Sequence, residues 1–452
     1  MRFLLPAKWK LATLLQDGNS PGEFVASDYD DLTDSPAEAG EFQEYSYQQG
    51  GATYRVVVHA NPAAYSSERL LKTIEKITAA ETGLMQDVPF SRYTFILHFL
   101  EQSTGGMEHR NGTAISYAAS DLRDDWGGLE TTLAHEFSHA WNVKRIRPQN
   151  LEPVDYIHGN DTRDLWFCEG LASTYQQYAV LRAGLISRET FYQRLAGEIQ
   201  ILQGRPARRS QSVALAGREA WLEKYSDYFR PERSISFYNK GALLGFLLDL
   251  AIRQGSGNQH GLDDLMRRLN QDFARRNRFF QQQDLIAIIA DLAPGFEDAG
   301  QFFADYVDGT RELDYDKYLG CAGAKLKAQT IERPALGFLS VQRFEKPVGV
   351  ESVERGSNAE KAGLETGDEI LEMDGKILQA NPDQRIPEMK PGQKVRFRVR
   401  RGRREFSIEF PLGAATRTTY RVEEVKRPTP GQRRIREGWL EGTTTPRQAG
   451  KP

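Results

Sequence analysis

Three residues in one short stretch have the types and spacing of a hydrolytic centre. His135 and His139 stand four apart in TTLAHEFSHAWN, residues 131–142, with Glu136 between them. The apolar spacing predicts a helix, and positions i and i+4 of a helix share a face. Two imidazoles on one face can grip a single ion, zinc above all. Glu136 then stands beside the ion, where a carboxylate can take a proton from a metal-activated water. Two surface histidines on an ordinary helix would give the same letters. Against that, Phe137 and Trp141 bury part of this helix, and a buried histidine pair needs partners.

A catalytic zinc usually takes three protein ligands and keeps one position open. The best candidate for the third is Glu169 in DLWFCEGLA, residues 164–172, a second apolar helix by pattern. A carboxylate in an apolar face needs a counter-charge, which a metal supplies. A capping or salt-bridged glutamate is the plainer alternative. His158 is a rival ligand, set in a Gly/Asn/Asp-rich loop. Cys168 adjoins Glu169 but diverges from it by about 100° on a helix, so it reads as a core cysteine. Asn142 follows His139 closely enough to support it. Lys144, Arg145 and Arg147 form a basic cluster, either a carboxylate-binding patch or a salt-bridged helix end.

The elements that must hold these residues read as α+β. Residues 54–59 (YRVVVH) and 93–100 (YTFILHFL) are strand candidates, the second fully buried. Leu70, Leu71, Ile74 and Ile77 recur at helical spacing after Ser66 and Ser67. GGMEH at 105–109 and TAISY at 113–117 suggest edge strands. From Gly128 to about Leu313 the pattern is mostly helical. A chain of 452 residues is too long for one ordinary core. The expected division is a partial N-terminal β domain or extension at 1–62, a catalytic domain at 63–325, a β-rich module at 334–416 and a basic tail at 417–452. Trp439 and Leu440 are the tail's apolar anchor, and residues 443–452 read as mobile.

Composition excludes several classes. The formal charge of -3 gives no global drive toward nucleic acid or anionic membrane. The Arg-rich runs at 400–404 and 433–436 lack interleaved aromatics and read as a solvated hairpin and tail. Two cysteines, Cys168 and Cys321, cannot form a disulfide framework for this length. Lys8 and Lys10 interrupt the N-terminal apolar run before signal-peptide length, and no stretch approaches the roughly 20 apolar residues of a membrane span. As written, the expectation is a cytoplasmic protein, or a periplasmic one if an upstream segment is missing.

With these residues in view, HEFSHAWNVKRIRP at 135–148 resembles the signature of the glycyl aminopeptidase family of gluzincin metallopeptidases. YDDLTDSPAEAG at 29–40, GGMEH at 105–109, LWFCEG at 165–170 and SFYNKG at 236–241 fit the same family. The resemblance implies a thermolysin-like catalytic domain and one Zn²⁺ per chain on His135, His139 and Glu169, with Glu136 as general base. It implies that Tyr238 donates to the oxyanion, as a tyrosine does in a similar Tyr-x-Lys-Gly setting of aminopeptidase N-like enzymes. It also implies that Gly105, Gly106 and Glu108 bind substrate. The strand backbone would pair with the peptide, and Glu108 would meet its free α-ammonium group. The implied activity is removal of N-terminal glycine or alanine from peptides with a free N-terminus. A thermolysin-like endopeptidase and a non-enzymatic peptide-binding scaffold are the alternatives.

The module at 334–416 resembles a PDZ domain, through LGF at 336–338, AEKAGL at 359–364 and GDEIL at 367–371. Such modules add a peptide strand to a sheet edge and hold its C-terminal carboxylate in a loop of backbone N–H groups. Here that loop would be Leu336, Gly337 and Phe338.

Overall fold

The computed structural model describes residues 1–101, 104–124, 126–222, 230–341, 347–378 and 381–445. They divide into two compact units, one of residues 1–326 with 421–445, the other within residues 327–420.

The centre of the larger unit is a five-stranded sheet. Its strands are β1 (Gln43–Gln49), β2 (Ala52–His59), β3 (Arg92–Leu100), β4 (Gly105–His109) and β5 (Gly112–Ala118). The spatial order is β1-β2-β3-β5-β4. β2, β3 and β5 run parallel, and β1 and β4 are antiparallel edges. Val56, Val57, Val58, Phe95, Ile96 and Leu97 are buried, as expected for parallel strands covered on both faces. Helix α1 (Ser67–Met85) makes the crossover from β2 to β3, capped by Ser66.

The boundary expected at residue 62 therefore moves. Residues 43–59 belong to the catalytic sheet, and the N-terminal extension ends just before them. Within it, Lys10–Thr13 pairs with Ala37–Gly40. Ala12 and Phe42 pack on Val57 of β2, and Arg92 of β3 donates to the Leu15 carbonyl at 3.0 Å. A segment that cannot close a core alone borrows one from the sheet.

The helical lobe follows: α2 (Gly127–Ser138), α3 (Leu171–Arg182) and α4 (Phe237–Gly255), with shorter helices around them. The chain then returns to the larger unit through the expected anchor, Trp439 and Leu440. Residues 430–441 form α5 (Pro430–Glu441), part of the larger unit, with Trp439 fully buried. Its end is tied down, because Arg253 donates to the Thr443 carbonyl and Thr445 N–H to the Asn258 carbonyl. Residues 446–452 lie outside the described residues.

The smaller unit has its own core, including Leu336, Phe338, Val350, Ile370, Phe397 and Phe410. Its edge strand β6 (Phe338–Val341) pairs antiparallel with β7 (Val348–Val353). Gly337 has φ +75°, and a Cβ there would come within 2.6 Å of the Ser357 side chain. Leu336 and Phe338 point into the core, so backbone is what their loop can offer a ligand. Arg400 and Arg401 pair with Glu369 and Asp368 across the sheet. Among the described residues no helix is long and apolar enough to cross a membrane.

Candidate metal centre and active site

Helix α2 is fixed by its apolar side. Phe137 is buried among Tyr93, Phe95, Phe90 and Trp141, with ring centroids 4.9 to 6.1 Å away. That packing turns His135 and His139 to the opposite side, with their rings 4.8 Å apart. The helix ends at Ser138, so His139 is its C-terminal cap residue, still in helical conformation.

Glu169 completes a three-donor cluster. Its Oε2 lies 3.2 Å from His135 Nε2 and 3.5 Å from His139 Nε2. Ligand bonds of about 2.0–2.1 Å in tetrahedral array put donors roughly 3.3 Å apart, so the spacing fits one zinc-sized ion. Glu169 does not sit on a regular α-helix. Residues Trp166–Gly170 form a π turn leading into α3, a feature frequent at functional sites. Asn142 clamps the segments that carry His139 and Glu169 together. Its Nδ2 donates to the Phe167 and Cys168 carbonyls, both at 3.0 Å. Its own carbonyl takes the His139 Nδ1 proton, an assignment that leaves Nε2 facing the cluster.

The cluster's electrostatics follow from burial and proximity. Burial disfavours the Glu169 carboxylate, but His139 and His135 outweigh it and hold the acid well below its usual range. Burial pulls His139 down, and the facing carboxylates reverse that, raising it to about 9. A metal bound here would displace the His139 proton and take over its pairing with the Glu169 carboxylate. Glu136 is buried and pushed up to about 7 by desolvation, against the pull of the two histidines. Its Oε2 has no hydrogen-bond partner. Gly106 makes room for it, because a Cβ there would lie 2.2 Å from Glu136 Oε1.

Glu108 reaches the same place from the sheet edge. Its carboxylate, that of Glu136 and a His139 nitrogen lie within 4.8 Å of one another. Lys144 Nζ approaches Glu108 Oε1 at 3.8 Å and Asp34 Oδ1 at 2.8 Å. Asp34 also holds His109 and the Arg110 N–H. Burial opposes its charge, yet His109 and Lys144 bring it down to about 2. Sequence reasoning assigned Asp34 no role, though it sits inside the 29–40 motif.

Tyr238 arrives from the start of α4, half-buried, its ring 6.1 Å from that of His135. The approach depends on two glycines. A Cβ on Gly170 would lie 2.4 Å from Gly241 Cα, and one on Gly241 would lie 2.6 Å from the Trp166 carbonyl oxygen. His158 stays away, exposed and paired with Asp155 in its own loop. Arg147 pairs with Glu152, and Arg145 binds the carbonyls of Pro89, Arg110 and Ala140. The basic cluster is thus largely structural. Cys168 is a buried free thiol.

This fold and candidate donor set fit a metallopeptidase with a small sheet, a helix bearing the two histidines and a helical lobe. Residues 129–244 match the model of M61 glycyl aminopeptidase. Residues 1–41 match the peptidase M61 N-terminal domain, and residues 334–412 a PDZ domain. The chain is therefore a metallopeptidase that is similar over these stretches to the M61 glycyl aminopeptidase family, and it carries a PDZ domain. An aminopeptidase N family protein from Idiomarina loihiensis shares the fold at TM-score 0.79 and 23% identity, over 96% of this chain and 77% of that one. An M1 zinc metallopeptidase from Deinococcus radiodurans is more distant, at TM-score 0.47 and 16% identity over 68% and 63%. Among curated proteins no match is found.

Proposed function

We propose that the chain is a zinc-dependent aminopeptidase, with the ion held by His135, His139 and Glu169. The observation that carries the exopeptidase reading is Glu108, an edge-strand carboxylate brought to the metal cluster. A bound zinc would lower the pKa of its water to about 7 and polarise the scissile carbonyl. Glu136 takes the proton of the attacking water and delivers it to the leaving amine. Tyr238 donates its hydroxyl proton to the developing oxyanion. Glu108 binds the substrate's α-ammonium, setting one residue between the free N-terminus and the cut. The backbone of Gly105 and Gly106 pairs with the extended peptide. The family likeness supports glycine or alanine as the residue removed. In the PDZ domain, the loop of Leu336, Gly337 and Phe338 would take a peptide's C-terminal carboxylate, with β6 receiving its strand.

Aminoacyl reporters, free and N-acetylated, test this with and without chelator. Chelation should abolish cleavage and zinc restore it. Acetylation should abolish it too, and Glu108→Ala should cut kcat/KM for free reporters by about 10²-fold. Equal cleavage of acetylated peptides, with Glu108→Ala fully active, would show an endopeptidase. Absence of stoichiometric zinc in unchelated protein would favour a scaffold.

A further inference from the structure

Beside the metal cluster, Tyr238 and Glu169 form part of the wall of a cavity of about 310 Å³. The rest of its wall is mainly apolar: Leu151, Leu165, Ala220, Trp221, Ile235 and Phe237. Among the described residues lining it, Glu169 is the one charged group, and the cluster already engages it. Asn160, Thr162 and Ser234 add neutral polar atoms at its edge. An apolar cavity of about 150 Å³ already holds a benzene ring. A glycine or alanine side chain would leave this one nearly empty.

Its wall is tied to the same turn as the proposed ammonium site. Leu151, Asn160 and Thr162 come from the loop after α2. In that loop Tyr156 packs edge-on against Tyr29 at 4.9 Å and donates to Asp30 at 2.6 Å. Four residues beyond Asp30, Asp34 holds Lys144 and His109 next to Glu108. The cavity's outer wall and the proposed ammonium site are thus anchored to one N-terminal turn. A second cavity, lined by Ser173, Gln177 and Asn239, flanks Tyr238 along α3, beyond Glu169. Trp221 is 70% exposed, with its indole against Gly159 and its N–H directed at the Asn160 carbonyl. A large aromatic left open at a cavity mouth is suited to covering an apolar guest.

We infer that this cavity receives the side chain of the substrate's first residue, and that the peptidase favours a large apolar residue there, leucine or phenylalanine, over glycine or alanine. The inference rests on the aminopeptidase reading for which side chain enters. Binding in the cavity rests on its wall alone.

The zinc-loaded full chain should be assayed with glycyl, alanyl, leucyl and phenylalanyl aminomethylcoumarin reporters. The expected result is a phenylalanyl or leucyl kcat/KM at least tenfold above glycyl. Ala220→Leu, which narrows the cavity, should lower the phenylalanyl-to-glycyl ratio at least tenfold. Trp221→Ala, at an exposed position, should lower it too and serves if Ala220→Leu fails to fold. Separately, phenylalaninamide should change tryptophan fluorescence saturably with a Kd at least tenfold below that of glycinamide, a signal absent in Trp221→Phe. A glycyl preference that neither variant moves, or equal binding of the two amides, overturns the cavity assignment and leaves the aminopeptidase standing. A phenylalanyl preference shared by acetylated substrates sinks the exopeptidase reading and leaves the apolar pocket. Protein that cleaves no reporter and binds neither amide refutes both.

Discussion

At the residue scale the grouping of the candidate site's side chains was largely legible, because it is encoded locally. The i, i+4 spacing of His135 and His139 fixes their common face whatever the tertiary fold, and Glu136 follows from it. Glu169 could be guessed from an acid in an apolar run, since burial of a lone carboxylate needs a partner. Asp34 was not legible: its importance is that it meets Lys144, 110 residues away, and no local pattern carries such a contact. The preference for a small first residue came from resemblance alone, and the cavity beside the cluster was not legible, because its wall is drawn from three separate segments. Tyr238 makes the sharpest single-atom prediction. If its hydroxyl serves the oxyanion and not the fold, Tyr238→Phe should keep the ring's stacking on Phe237. Turnover should then fall by about 10²–10³ with KM and zinc content little changed. Steady-state kinetics together with metal analysis check this, and a variant retaining most of its kcat would remove Tyr238 from the mechanism.

At the element scale, strand and helix types were readable from period, but their crossings were not. The π turn at Trp166–Gly170 looks like any helix start in sequence. Its role appears only where Gly170 meets Gly241 backbone to backbone. Gly241→Ala puts a methyl against the Trp166 carbonyl at 2.6 Å, a contact that backbone must move to relieve. The expected cost is about 1–3 kcal/mol, with weakened zinc binding because Glu169 shifts with the turn. Thermal melts and a zinc competition titration measure the two, and unchanged zinc affinity would show that the crossing does not set the ligand's position. Helix α1 carries a different stress. Glu81 is buried with neither oxygen partnered, near Tyr54, whose hydroxyl is also unpartnered. Burial raises its pKa well above the ordinary 4.5. The folded chain thus keeps a proton that the unfolded chain releases, so stability is full below about 4.5 and is lost as pH rises above it. Glu81→Gln removes that titration. The Tm of the variant should gain on wild type as pH is raised from 4.5 to 8, and a gap that stays constant would mean that Glu81 is satisfied.

At the scale of the whole molecule, the division into a catalytic unit and a PDZ domain was readable from the change of texture near Pro334. The return of the chain was not. Residues 421–445 read as a basic tail because their charges are plentiful and their apolar residues few. Yet the chain leaves the larger unit at 326 and re-enters it at 421, which makes the PDZ domain an insertion and α5 a closing element of the catalytic unit. Trp439 carries that closure. Its indole N–H donates to Tyr178 Oη at 2.7 Å, and its ring packs edge-on against Phe191 at 5.4 Å. Tyr178 in turn donates to Asp249, which binds Arg253, whose guanidinium reaches Thr443 past Trp439. α3, α4 and α5 therefore share one buried polar chain, and α3 and α4 are the helices that continue from Glu169 and Tyr238. Trp439→Ala would empty a fully buried indole site and leave the network with one donor fewer. The expected loss is about 3–5 kcal/mol, seen as a Tm lower by several degrees. A stop codon after residue 420 should be worse, because it removes all of α5. If instead the truncated chain melts with wild-type Tm and keeps its zinc, α5 is an accessory and the catalytic unit closes without it.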